Sequence, residues 1–214
     1  MAGSHVFILS PARCDGERAK LLLSGTASFP LATALRTPPG VAIGDVFSFL
    51  SALYFRGKLT YARTFASRLR SAPPILIVTT DRGLVPPDTR ITRDDLAAFA
   101  TVDIATGGER YLGPLRRDVT ALAATVRRTT RIVLLGSIAT GKYVDMLIEI
   151  FGDRLLFPIE FVGRGDMSRG GLLLRCAREG NELTYVPVRG AVRHGKRPPK
   201  LEPRNADHAS RKEP

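Results

Sequence analysis

Tryptophan is absent from this sequence, and four other residue types are scarce: two cysteines, three methionines, three histidines and six lysines in 214 residues. Each shortage removes a class of chemistry. The histidines stand at His5, His194 and His208, so positions 6–193 hold no imidazole. A Ser-His-Asp or Cys-His mechanism, or a histidine-rich zinc site, therefore has no reagent in the body of the chain. Cys14 and Cys176 show neither CxxC spacing nor a disulfide framework and read as free thiols of a reducing compartment. These patterns imply no metal and no cofactor. No stretch reaches the ~18 uninterrupted apolar residues of a membrane span. The opening Met1-Ala2-Gly3-Ser4-His5 lacks the basic and apolar regions of a signal peptide. The expectation is a cytoplasmic protein without a membrane partner.

What is abundant is arginine. Of 32 basic residues 26 are arginine, against 20 acids, for a net charge of +12. Arginine suits bidentate contact with phosphate, although a GC-rich coding sequence raises the same ratio. The charge is unevenly spread. Positions 189–214 hold eight basic residues, three acids, four prolines and almost nothing apolar, which gives +5 to that segment and leaves +7 on 1–188. A disordered basic tail over 189–214 is expected. Hydrophobic residues make up 44% of the chain, enough for 1–188 to bury one core without a staple.

An unalternating apolar run at 6–10 ends at Pro11 and predicts a buried first strand. A helix over 17–23 opens on an acid, at the positive end of its dipole. Apolar residues at helical spacing over 44–55 predict a second helix, ended by Arg56-Gly57 before a third over 58–69. The β-branched run 75–79 reads as a strand covered on both faces. Thr92 followed by acids caps a helix over 94–100. A long amphipathic helix is expected over 111–128, a third buried strand over 131–135, a helix over 142–151 and a short strand over 155–158. Segments 171–178 and 182–188 flank Glu179-Gly-Asn181, which favours a C-terminal β-hairpin. Strands alternating with helices define the fold class as α/β: a single compact domain with a largely parallel sheet flanked by helices. In such sheets ligands bind at the carboxyl ends of strands, which points to the loops after Leu9, Val78, Leu135 and Phe157.

Four patterns carry chemistry at or near those loops. Gly136-Ser-Ile-Ala-Thr-Gly141-Lys142 fits GxxxxGK between a strand and a helix, where backbone amides and the lysine cradle phosphate. Tyr143 replaces the magnesium-binding hydroxyl, so a plain strand-to-helix turn that still binds an anion stands beside the nucleotide reading. Gly163-Arg164-Gly165-Asp166-Met167-Ser168-Arg169-Gly170-Gly171 combines close backbone approach with guanidinium grip, and Asp166 is a candidate acid or base. Its plain reading is a glycine-rich loop entering the hairpin. Tyr54-Phe-Arg56-Gly57-Lys58-Leu-Thr-Tyr61 offers rings to stack on a base and cations for phosphate, or simply a solvated basic face. Asp81 and Asp88, in the loop after the second buried strand, stand where a sheet presents catalytic carboxylates, or close an Asp-Arg turn.

Three islands also resemble the YaaA-type peroxide-stress family. Phe7-Ile-Leu-Ser10-Pro-Ala-Arg13 is similar to that family's ILxSPAK start, with arginine in place of lysine. Arg82-Gly-Leu-Val-Pro-Pro-Asp88 is similar to its G-L-x-P-x-D turn, and Gly163-Arg164-Gly165-Asp166-Met167-Ser168-Arg169 to its A-R-G-x-M-S-R motif. The resemblance implies a compact α/β protein that binds DNA and protects it during oxidative stress. It adds Ser10, Arg13, Arg164, Gly165, Ser168 and Arg169 as pocket residues.

The leading expectation is a nucleic-acid-associated protein that grips phosphate with Arg56, Lys58, Lys142, Arg164 and Arg169. A base-directed reaction in DNA protection or repair, with Asp81, Asp88 or Asp166 handling protons, goes with it. The alternative partner is a small phosphorylated ligand, a nucleotide or nucleoside phosphate, bound by Gly136, Gly141, Lys142 and the Arg164 loop. In that case the chain is an enzyme.

Overall fold

The computed structural model describes residues 4–67, 69–104, 108–139, 141–193 and 195–199, the side chains of 141 and 142 excepted. Along the chain run β1 (His5–Leu9), α1 (Glu17–Leu23), α2 (Pro30–Arg36), β2 (Val41–Ala42), α3 (Ile43–Leu50), α4 (Ala52–Phe65), β3 (Ile75–Val78), β4 (Leu84–Val85) and β5 (Arg90–Ile91). There follow α5 (Arg93–Ala100), α6 (Glu109–Thr125), β6 (Arg131–Leu135), α7 (Gly141–Phe151), β7 (Leu155–Pro158), α8 (Asp166–Glu179) and β8 (Tyr185–Pro187).

The four apolar runs form the centre of a six-stranded sheet in the order β4-β3-β1-β6-β7-β8. β3, β1, β6 and β7 are mutually parallel; only the edge strands β4 and β8 run antiparallel. These runs do not alternate because both faces are covered. Phe7, Leu9, Ile77, Val133 and Leu135 pack under α1 to α5 and α8. Val6, Ile8, Val78, Ile132 and Leu134 pack under α6 and α7. The expected α/β class and largely parallel sheet are therefore present. Thr92 accepts from the Asp95 amide while the Asp95 carboxylate accepts from the Thr92 amide, so the expected cap closes as a full capping box.

Two expected elements are replaced. Residues 171–178 are not a hairpin strand but lie inside α8, where Leu173 and Cys176 are buried one helical turn apart. Gly180, at φ +69, is the left-handed stop of that helix rather than a hairpin turn. The C-terminal antiparallel pair exists, but β8 reaches back over α8 to pair with β7, Phe157 opposite Val186. The second correction concerns the break near residue 56. It falls at Ser51 and Ala52, which sits at φ +44, and Arg56-Gly57 continues through α4.

Gly57 stays helical because it is needed for packing. A methyl at Gly57 would come within 2.7 Å of the Gly170 carbonyl oxygen, and one at Gly170 within 2.7 Å of the Leu53 carbonyl oxygen. The two glycines let α4 and α8 cross backbone to backbone, which brings the polar residues of both helices against the end of β1.

The first part of the expected tail lies on the domain. Arg193 donates to Asp145 at 2.9 Å, Arg189 faces Asp153 at 3.7 Å, and Arg164 donates to the Pro199 carbonyl at 3.5 Å. Positions 194 and 200–214 lie outside the described residues.

Candidate functional site

β1 ends at Leu9, and the next residue, Ser10, meets Lys58 of α4. Lys58 is only 1% exposed. Its Nζ donates to the Ser10 carbonyl at 2.7 Å and to Ser10 Oγ at 2.8 Å. The same nitrogen lies 4.6 Å from the centre of the Tyr54 ring and 4.7 Å from that of Phe55. Burial pushes the Lys58 ammonium down to about 7; the Asp166 carboxylate opposes this shift and the Arg169 guanidinium adds to it. Near neutral pH a large share of the molecules therefore carries Lys58 as a free amine.

Gly136, the first residue after β6, closes the other side of Ser10. A methyl there would stand 2.7 Å from Ser10 Cβ and 3.0 Å from both Ser10 Oγ and the Tyr143 hydroxyl. Tyr143 is buried, its hydroxyl reaching the Ser137 carbonyl at 3.4 Å, and burial holds its ionisation far above the ordinary value. Arg169, on α8, donates through Nε and one terminal nitrogen to the Phe161 carbonyl at 3.2 and 3.1 Å and lies over the Phe161 ring. Its other terminal nitrogen is 3.7 Å from Asp166. Burial pushes the Tyr54 hydroxyl up to about 12, and the Arg169 guanidinium beside it opposes the shift. Gly136, Phe161, Arg169 and Arg193 wall a niche of about 10 Å³, room for about one water molecule.

Beside this cluster a cleft of about 530 Å³ opens at the carboxyl ends of β1 and β3. That is a size suited to a small ligand. Pro11, Ala12, Phe99, Val102 and Ile104 supply apolar walls, and Arg13, Asp15, Thr80, Thr101 and Asp103 the polar ones. Arg13 is tied to Asp15 at 2.6 Å. Cys14 lines the cleft but is a poor nucleophile, since burial, with Asp15 and Asp81 adding, pushes its thiol up to about 12.

The expected site residues divide. Ser10, Lys58, Gly136, Asp166 and Arg169 come together, Asp166 by its charge acting on Lys58. Asp81 borders this edge, facing Arg82 and Arg110 at 3.8 Å each, with one oxygen buried and without a hydrogen-bond partner. Arg164 and Ser168 bond to each other in a separate groove of about 310 Å³ that includes Gly165 and Arg197. Arg56 is exposed on α4, and Asp88, 87% exposed, faces Arg63. Gly141 begins α7, and the side chain of Lys142 lies outside the described residues. Sequence reasoning missed Tyr143 and Phe161 as members of the cluster and took Tyr54 for a base-stacking ring. The one available signal was a lysine on the buried stripe of a helix, four residues after Tyr54.

Among the described residues no three His, Cys, Asp or Glu side chains gather as a metal site, and no helix is long and apolar enough to cross a membrane. Comparisons of the chain with protein-family models, with curated proteins and with solved structures found no match.

Proposed function

We propose that the protein is an enzyme acting on a small phosphorylated ligand, a nucleotide or nucleoside phosphate, held at the carboxyl edge of the sheet. The observation that supports this reading is convergence. The loops after β1, β3, β6 and β7 stand side by side, and the cleft begins one residue beyond Ser10, the half-buried partner of Lys58. The part-exposed Pro11, Val102 and Ile104 suit a base or another flat group. The guanidinium of Arg13, paired with Asp15 on the cleft wall, favours phosphate there. Thermal unfolding in the presence of nucleotides tests it. A ligand at a hundred times its Kd stabilises by about 2.7 kcal/mol, so a clear rise in Tm is expected with nucleotides and a smaller one with Arg13→Ala. No rise with any nucleoside phosphate at millimolar concentration overturns the reading.

A nucleic-acid partner, with the role in DNA protection or repair that the YaaA-type resemblance implies, is the second reading. It is favoured by the separate groove where Arg164 and Arg197 stand beside Ser168, and by the exposed Arg56.

A further inference from the structure

We propose that Ser10 is a nucleophile and Lys58 its general base, so that the reaction passes through a covalent ester on Ser10 Oγ. The proposal rests on the small-ligand reading above and names the chemical step at that site. Four observations meet. The Lys58 amine and Ser10 Oγ are 2.8 Å apart, within the reach a base needs. Ser10 is half-buried rather than sealed, and its neighbour Pro11 lines the cleft. The Ser10 carbonyl bond, at 2.7 Å, and the Tyr54 and Phe55 rings hold the amine in place. No imidazole stands between residues 6 and 193 to do the same work.

The substrate class is a phosphoester. The Ser10 O–H proton passes to the neutral Lys58 amine as Oγ bonds to phosphorus. The P–O bond to the leaving group breaks, and the leaving oxygen takes the proton back from the Lys58 ammonium. A water molecule, deprotonated by the same amine, then attacks phosphorus, the Oγ–P bond breaks, and Oγ takes the proton from the Lys58 ammonium, which restores the Ser10 hydroxyl and the free amine. No redox partner is needed. Arg169, which walls the niche beside Gly136, supplies positive charge on the side of Ser10 that Gly136 closes.

The titratable groups facing Lys58 are Asp166 and Arg169 from α8 and Tyr54 from its own helix, with Tyr143 of α7 beyond Ser10. Burial holds both tyrosine hydroxyls above the neutral range, whereas Lys58 changes charge near pH 7.

A tagged fluorophosphonate is the probe, because attack by Oγ releases fluoride and leaves a stable phosphonyl ester. Peptide mapping of the labelled full-length chain is expected to find the tag on Ser10, with none on Ser10→Ala. The labelling rate should rise about tenfold between pH 6 and pH 8, following a group that loses its proton near pH 7. Lys58→Arg, which stays protonated, should slow labelling by about a hundredfold or more. Absence of label at pH 8, label on another residue, or a rate indifferent to pH between 6 and 8 overturns the proposal, and the last holds even where Lys58→Arg does not fold. The two readings fail separately: nucleotides that still raise the Tm of Ser10→Ala leave the ligand site standing when the nucleophile is lost.

Discussion

Lys58 gives the folded chain a pH dependence whose sign follows from its burial. Its ordinary value is 10.5 and its folded value about 7, so between these limits the unfolded chain binds a proton that the folded chain does not. Stability then rises with pH across that window, by up to about 1.4 kcal/mol per pH unit, and is flat below it, where both states are protonated. Urea unfolding at pH 7, 8 and 9 should show this slope in the native chain and its absence in Lys58→Met. Equal slopes in the two chains would mean the amine is not desolvated. Lys58 is recognisable in the sequence as an unusual lysine, but its reading as a phosphate grip follows from its neighbours Arg56 and Tyr61. Whether a helical lysine faces water or the sheet depends on where the helix is docked, which local spacing leaves open. Asp88 shows the converse: a motif position beside a strand end that the fold turns outward to Arg63.

At the scale of elements, the crossing of α4 on α8 depends on two glycines rather than on a hydrophobic stripe alone. Gly57→Ala and Gly170→Ala each place a methyl 2.7 Å from a carbonyl oxygen of the opposite helix. Each should cost about 1–3 kcal/mol by overpacking. Gly165→Ala, with nothing within 4 Å of the added methyl, should cost less, about 0.5 kcal/mol from the weaker alanine N-cap of α8. Denaturant melts of the three variants check this, and a cost at 165 equal to that at 57 would refute the packing argument. The element scale is also where sequence reading was most and least successful. Thr92 with Asp95 is a local signal and formed as expected, because both ends of a capping box lie within one turn. The run 171–178 has the same apolar content as a strand or a buried helix, and the choice was made by the surface of α4 lying opposite it.

At the scale of the molecule, much of the arginine content stitches loops rather than presenting a binding face. Arg36 holds the Ser24 and Ala27 carbonyls, Arg93 the Leu23 carbonyl and Arg154 the Arg127 carbonyl. Of the cations expected to grip phosphate together, Lys58 and Arg169 lie in the cluster at Ser10, Arg164 in a separate groove and Arg56 on an exposed helix face. If nucleic acid is the partner, duplex or single-stranded DNA should bind near 50 mM salt, where backbone contacts are strong, and weaken steeply by 200 mM. Arg164→Ala should then reduce both the affinity and the salt slope, the slope by about one unit for each phosphate it ceases to neutralise. A titration with no binding at 50 mM removes this second reading and leaves the cleft as the site.

The sequence by itself determined the elements that local chemistry can specify. These are the three buried strands over 6–10, 75–79 and 131–135, whose unbroken apolar runs fit a sheet covered on both faces, the capped helix after Thr92, and a chain body without imidazole between residues 6 and 193. The tertiary structure alone decided what lies next to what. Ser10 and Lys58 are 48 residues apart and meet because α4, held against α8 by two glycines, docks over the end of β1. Burial then turns an ordinary lysine into an amine poised near neutral pH. Desolvation depends on every group packed around the side chain, and no window of sequence contains that set.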